Sequence, residues 1–249
     1  MFHIVQENTF NERNYDNLTS TLDYLNLEYE VIKVLPFIES IDFKTDRKDV
    51  FVWGAVKLAR IAKQYNWHPG SLLNNNHNFL VYKDYYKDNL FNYNSKIIKI
   101  TDDYDYPNAF FARPTKDSKV FTGQEFLKDD FLNLKERVID MHPNQDIDIQ
   151  ISGIKRIFKE IRFWIVKGKI ITASQYKLGF RVVLDEIIDD EAHDFVNKMI
   201  NIFQLADAFV MDICLGEDGW KIMECGCINC AGFYKANMQK LVMALEDAF

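Results

Sequence analysis

The 249-residue sequence predicts an α+β protein, with a small α/β lobe over residues 1–95 and a larger α+β unit over 96–249 that divides into 96–150 and 151–249. Three observations predict this. Strand-like and helix-like stretches alternate in the first hundred residues. From Lys96 onward short β-rich runs dominate. The clearest of these form two hairpins, 160–174 and 208–225, each joined at a glycine-containing turn.

In chain order, Glu30–Pro36 has the β-branched density of a strand and is stopped by proline. Val50–Gly54 reads as a second, buried strand. Ala55, Leu58, Ala59 and Ala62 then form an apolar stripe at helical spacing. Pro69-Gly70 is expected to end that unit, Leu73–Asn78 is polar loop material, and apolar character resumes at Phe79–Tyr82. Lys96–Ile100 and Ala109–Pro114 are short strands, and Phe131–Met141 is a helix behind the acidic start Asp129-Asp130. Asp146–Ser152 alternates as a strand does. Glu160–Val166 and Lys169–Ser174 flank Lys167-Gly168 as a hairpin. Residues 189–206 form an amphipathic helix that buries Phe195, Met199, Ile202 and Phe203. Ala208–Cys214 and Trp220–Cys225 pair across Gly216–Gly219, and a last helix runs from about Ala236.

A formal charge of −7 gives the whole molecule no long-range attraction to nucleic acid or to an anionic membrane. No run of about 18 apolar residues predicts a spanning helix. Met1–Glu7 lacks the basic and apolar regions of a signal peptide. Cys214, Cys225, Cys227 and Cys230 all fall in the last quarter, where they could not staple a secreted domain. The expected setting is therefore a reducing cytoplasm, including a host's cytoplasm if the chain is phage-encoded.

The last hairpin carries the most informative chemistry. Asp212 and Glu224 lie on neighbouring antiparallel strands, which can bring both carboxylates to one face. Such a pair repels unless a cation lies between, and magnesium takes hard oxygen ligands while leaving room for phosphate oxygens. Asn229 follows as a further oxygen donor. The alternative is that Asp212 caps locally and Glu224 is solvated. Cationic candidates stand opposite: Arg113 before Pro114, Lys116 and Lys119 in the next loop, and Arg162 two residues after Glu160. A guanidinium on a strand grips phosphate or carboxylate in bidentate fashion, although Arg162 and Glu160 could equally form a surface ion pair. Ser174 and Tyr176, alternate residues on a strand, could contact a substrate or simply face the cleft wall.

The ordered set extends further. It runs from Arg113-Pro114 and Lys119–Gly123 through Glu160–Ile170 and Ser174–Tyr176. It ends with Phe209–Asp212, Trp220–Glu224 and Asn229–Tyr234. This set resembles the ATP-grasp superfamily over roughly residues 96–249, and most closely its small bacterial and phage clade named for two arginines and a lysine. The first lobe resembles the preceding domain of that clade. The resemblance implies an ATP-grasp fold, with ATP held between two α+β subdomains and Mg2+ as the metal. Arg113, Lys116 and Lys119 would contact phosphates, main-chain groups around Gln150 and Ile151 would meet adenine, and Glu160 would also bind the nucleotide. Arg162 would touch the γ-phosphate or an acyl-phosphate, with Arg162 and Arg113 as catalytic cations. Asp212, Glu224 and Asn229 would hold magnesium. Many relatives have Glu-x-Asn at the metal, whereas the third position here is Gly226, so Asn229 is expected to substitute.

The implied activity is an ADP-forming carboxylate–amine ligase that acts through an acyl-phosphate. Its substrate would be a peptide, protein or amino-acid-like carboxylate, with an amine as acceptor. Three other readings compete: a phosphotransferase on the same fold, a nucleic-acid-binding protein using Lys155, Arg156, Lys159, Arg162, Lys167 and Lys169, and a zinc site at Cys225-x-Cys227-x-x-Cys230.

Overall fold

A computed structural model describes residues 1–7, 15–35, 40–116 and 120–249. The chain opens with β1 (Phe2–Gln6), α1 (Tyr15–Tyr24), β2 (Tyr29–Ile32), β3 (Asp49–Trp53), α2 (Val56–Gln64) and β4 (His68–Gly70). These four strands form one parallel sheet in the order β2-β1-β3-β4. A parallel sheet needs cover on both faces. Ile4, Val50 and Val52 pack under Leu58 and Ile61 of α2, while Val5, Phe51 and Trp53 face Leu18 and Leu22 of α1.

Next come α3 (Phe79–Tyr86), β5 (Lys96–Lys99), β6 (Ala109–Pro114), β7 (Gln124–Leu127), α4 (Lys128–Met141) and β8 (Asp148–Ser152). Their strands make an antiparallel sheet in the order β5-β8-β6-β7. Phe110, Phe126 and Ile149 of this sheet pack on Phe131 and Val138 of α4.

The last unit comprises β9 (Ile157–Val166), β10 (Lys169–Leu178), β11 (Arg181–Asp185), α5 (Asp190–Ile202), β12 (Ala208–Gly216), β13 (Gly219–Cys227) and α6 (Met238–Ala248). Its antiparallel sheet has the order β11-β10-β9-β12-β13. The two-residue period of the strands decides which side chain faces which layer. Ile161, Phe163, Ile165, Phe209, Met211 and Ile213 join α5 and Tyr82 and Tyr86 of α3 in one core. Trp164, Val166, Ala208 and Val210 face the other way and meet α6 together with Trp53 of the first lobe. The first lobe and the last helix thus share one core. Arg162 and Asp212 share the face of Trp164 and Val210, one step along each strand.

Several expectations need correction. Pro69-Gly70 does not end the first unit but forms part of β4. That strand lies at the sheet edge, where a missing N–H is tolerated. The apolar run at Phe79 is α3, capped by Asn78, whose side chain accepts a hydrogen bond from Leu80 N at 3.1 Å. A four-residue apolar run does not by itself tell helix from strand. Strands β1, β7 and β11 have no counterpart among the sequence expectations. The strand expected to reach Pro36 ends at Ile32, and Pro36 itself lies outside the described residues. Lys167 and Gly168 have φ of 47° and 74°, the left-handed pair of a two-residue hairpin turn.

Candidate active site

Four charges meet on one face of the large sheet, near the middle of the strands at its β13 edge. Arg162, Asp212 and Glu224 lie side by side on β9, β12 and β13, because Asp212 is in register with Arg162 on one side and with Glu224 on the other. Arg162 donates to both carboxylate oxygens of Asp212, Nε to Oδ1 at 2.7 Å and an Nη to Oδ2 at 2.8 Å. Its other Nη donates to the Gly232 carbonyl at 3.2 Å. Arg113 reaches across from β6 of the other antiparallel sheet and ion-pairs with Glu224. This contact joins the two sheets.

Ion pairing with Asp212 holds the Arg162 guanidinium charged. Burial works against the Arg162 charge, but Asp212 outweighs it and keeps that guanidinium well above its ordinary pKa. Burial pushes the Asp212 carboxyl up, with Glu224 and Glu160 adding to the rise and Arg162 opposing it. The Arg162 guanidinium also lies 4.9 Å from the Tyr234 ring, which stacks on Tyr176 with centroids 4.7 Å apart. Glu160, one step further along β9, is buried and pairs with Lys177 at 2.9 Å. Burial, reinforced by Asp212 and Glu224, drives the Cys225 thiol far above its ordinary value, so it stays protonated and is no nucleophile.

The cavity at the quartet measures about 210 Å³ and is lined by Arg113, Arg162, Glu224, Gly226, Cys230 and Tyr234 among others. Ligand pockets usually span about 300–1,000 Å³. This one suits a phosphate group, and a whole nucleotide requires the ion pairs to part. A larger cavity of about 940 Å³ lies between α2, the 71–78 loop and Lys116, with Arg60, Lys63 and His77 in its wall. The main chain of Lys116 forms an isolated antiparallel bridge with Asn78, beside this cavity. The close return of the chain to Arg113 requires a glycine at position 123, where a Cβ would approach Arg113 Cβ to 2.9 Å.

Not every expected residue joins this site. Lys119 lies outside the described residues. The adenine expectation for Gln150 and Ile151 is corrected: β8 is an inner strand, so ladders to β5 and β6 use its main-chain groups. Ile151 is core, and the Gln150 amide donates to Ser95 Oγ at 2.9 Å and to Asn92 O at 3.2 Å.

The expectation that Asn229 replaces the missing metal asparagine is corrected as well. Its oxygen accepts from Leu72 N at 2.8 Å and its nitrogen donates to Val52 O at 2.7 Å, which pins the first lobe to the end of β13. Gly226 does lie beside Glu224 on the cleft face, but a Cβ there would come within 3.2 Å of Val210 Cγ2. Among the described residues no group of three or more His, Cys, Asp or Glu is placed to hold a metal. Tyr234 and Lys177 join the site without being sequence candidates for it. Their only signals were the Gly232-Phe233-Tyr234 run after the hairpin and the alternation along β10.

The comparisons with known proteins agree with this fold. The sequence matches no curated protein. The structure is similar to D-alanine–D-alanine ligase from Bacillus anthracis complexed with ATP, with TM-score 0.65 and 12% identity, covering 99% of this chain and 96% of that one. It is also similar to the D-cycloserine synthetase DcsG, with TM-score 0.60 and 10% identity over 99% and 98% of the chains. The ATP-grasp ligase PsnB complexed with minimal precursor gives TM-score 0.55 and 12% identity over 99% and 98%. At such identities the likeness shows the fold. No helix among the described residues is long and apolar enough to cross a membrane. Residues 51–245 match the third family of ATP-grasp domains in the clade named for two arginines and a lysine, and the chain belongs to that family.

Proposed function

We propose that this ATP-grasp enzyme is an ATP- and magnesium-dependent carboxylate–amine ligase acting on a peptide, protein or amino-acid-like substrate. The observation that carries this reading is the quartet Arg113–Glu224–Asp212–Arg162 at the junction of the two antiparallel sheets. The donor set fits magnesium, which is often held by one or two carboxylates and completed by phosphate oxygens and water. Asp212 and Glu224 are those carboxylates, and Asn229 is not required. When bound, the metal neutralises charge on the transferring phosphoryl group.

The protein's own groups do the rest. When nucleotide enters, Arg162 and Arg113 exchange carboxylate for phosphate oxygens, which frees Asp212 and Glu224 for the cation. Two guanidiniums fixed on strands then stabilise the charge that develops as a substrate carboxylate attacks the γ-phosphate. The acyl-phosphate so formed has a good leaving group, and an amine displaces it as inorganic phosphate. Tyr176 and Tyr234 flank Arg162 and limit water around it. Glu160, buried one step along β9 from Arg162, would also bind the nucleotide. The base is assigned to the connection 153–156 between β8 and β9, which lies outside both ladders and borders a cavity of about 390 Å³ with Phe91 and Lys221. The 940 Å³ cavity next to Lys116 is assigned to the carboxylate and its acceptor. The peptide precursor named with PsnB supports a substrate of this kind.

The test is an ATP-turnover screen with pooled amino acids and peptides, read by mass spectrometry. The expected result is ADP, phosphate and a product lighter by one water than its two parts. AMP and pyrophosphate would contradict acyl-phosphate chemistry, and a phosphorylated product that is never condensed would mark a phosphotransferase.

A further inference from the structure

Helix α2 concentrates positive charge in a chain that is negative overall. Its nine residues carry Lys57, Arg60 and Lys63 and no acidic side chain, while the whole molecule has a formal charge of −7. Residues three apart on a helix are neighbours, so these cations repel one another. Leu58, Ile61 and Ala62 pack the helix onto the first sheet. A different face, Val56, Ala59, Arg60 and Lys63, lines the cavity of about 940 Å³. Lys116 stands in the same wall, which holds no aspartate or glutamate among the described residues. Neither Lys63 nor Lys116 has a carboxylate partner among those residues.

The cavity is built, and it adjoins the quartet. Its wall at the 71–78 loop is held by Asn74 and Asn76, whose side-chain amides both donate to Leu205 O at 2.9 Å. Ser71 in the same loop places its Oγ 3.8 Å from Cys227 Sγ, and Cys227 lines the smaller cavity at the quartet. A substrate can therefore present one carboxylate to the quartet while its other groups stay beside α2. At about 940 Å³ the space is near the upper end of ligand pockets, more than a lone amino acid fills.

Building on the assignment of this cavity to the ligase substrate, we propose that the substrate is an acidic peptide segment. One of its carboxylates reaches the quartet, and others are held by Arg60, Lys63 and Lys116. An anion there relieves the repulsion along α2. The three cations are exposed, so salt screens their attraction.

The experiment is isothermal titration calorimetry on the full chain with capped peptides of glutamate or of glutamine, equal in length. Each titration is run with and without a non-hydrolysable ATP analogue and magnesium. The glutamate peptide is expected to bind at least about tenfold more tightly than the glutamine peptide, and more weakly as salt rises. Arg60→Glu and Lys63→Glu are each expected to weaken it about tenfold, with unchanged circular dichroism melts. Lys198→Glu, an equal change of net charge on α5, is expected to leave its affinity unaltered. The nucleotide analogue is expected to bind alongside the peptide. A glutamate peptide that binds no better than glutamine, or not at all, overturns the proposal. So does an affinity that ignores both reversals on α2, or one that falls as much in Lys198→Glu. Displacement of the peptide by the analogue would give the wall to nucleotide phosphates and overturns it too. Binding is read here without turnover. A chain that selects glutamate but never condenses it therefore sinks the ligase reading and leaves the acidic occupant standing, and turnover that favours neutral substrates does the reverse.

Discussion

Asp212 is almost fully buried, and both of its carboxylate oxygens are taken by one guanidinium. Removing one member of such a pair leaves an uncompensated charge in a low-dielectric site. Arg162→Ala is therefore expected to cost about 3–5 kcal/mol in chemical denaturation, as well as abolishing turnover. Arg162→Lys keeps the charge but loses the fork and the second hydrogen bond, so it should recover part of the stability and little of the activity. A different single residue sets a pH dependence. His3 is completely buried in β1, accepting from Trp53 Nε1 at 3.0 Å and donating to Glu246 at 2.8 Å. Burial holds its imidazole below the ordinary 6.5, with the Glu246 hydrogen bond opposing that shift. Above pH 6.5 neither folded nor unfolded chain protonates this ring, and the full stability is present. As pH falls through 6.5 the unfolded chain takes up a proton that the folded chain refuses, so stability declines until the folded pKa is reached. Melting temperatures between about pH 7 and about pH 5.5 should fall for the wild type and fall less for His3→Gln, which keeps an acceptor and a donor without titrating.

At the level of elements, the 3-10 turn after β13 works as a clasp. Asn229 holds β3 through Val52 O and the chain after β4 through Leu72 N, and Ser71 Oγ donates to the same oxygen at 3.3 Å. Asn229→Ala strands at least two buried main-chain groups, each worth about 1–3 kcal/mol when unsatisfied. The expected loss is roughly 2 kcal/mol or more in urea unfolding, with magnesium affinity unchanged in the folded fraction. A variant that keeps wild-type stability but binds magnesium poorly would return Asn229 to the metal. The same residue shows where sequence reading stops. The β12–β13 hairpin was legible because its strands are long and its turn carries two glycines, and that hairpin alone puts Asp212 beside Glu224. Arg162 became a neighbour only through the β9–β12 pairing, between residues fifty positions apart. Gln150 and Ile151 alternate as any strand does. Nothing local says that β8 has a strand on both sides, and that fact removes its main chain from ligand contact. Helix α3 and strands β4 and β11 are too short for periodicity to decide their type.

For the molecule as a whole, a chain of formal charge −7 must bind a polyanion at a point where its own field does not repel it. The quartet makes this possible because two arginines and two carboxylates cancel locally, and the Arg113–Glu224 pair that joins the sheets must be replaced before they part. Nucleotide alone would supply partners for Arg113 and Arg162 but would leave Asp212 and Glu224 facing phosphate oxygens with no cation between. Magnesium with nucleotide satisfies all four groups. Binding at a hundredfold excess over the dissociation constant stabilises the folded state by about 2.7 kcal/mol, which for a domain of this size corresponds to a rise of roughly 5–10 °C in melting temperature. A non-hydrolysable ATP analogue with magnesium should therefore raise the melting temperature by several degrees, and the same analogue in chelator should raise it much less. In Glu224→Ala the Arg113 side chain loses its carboxylate and the metal loses a ligand, so the two conditions should converge. An equal shift with and without magnesium in the wild type would mean that Asp212 and Glu224 serve only to hold the arginines, and the ligase chemistry assigned to this cleft would lose its metal.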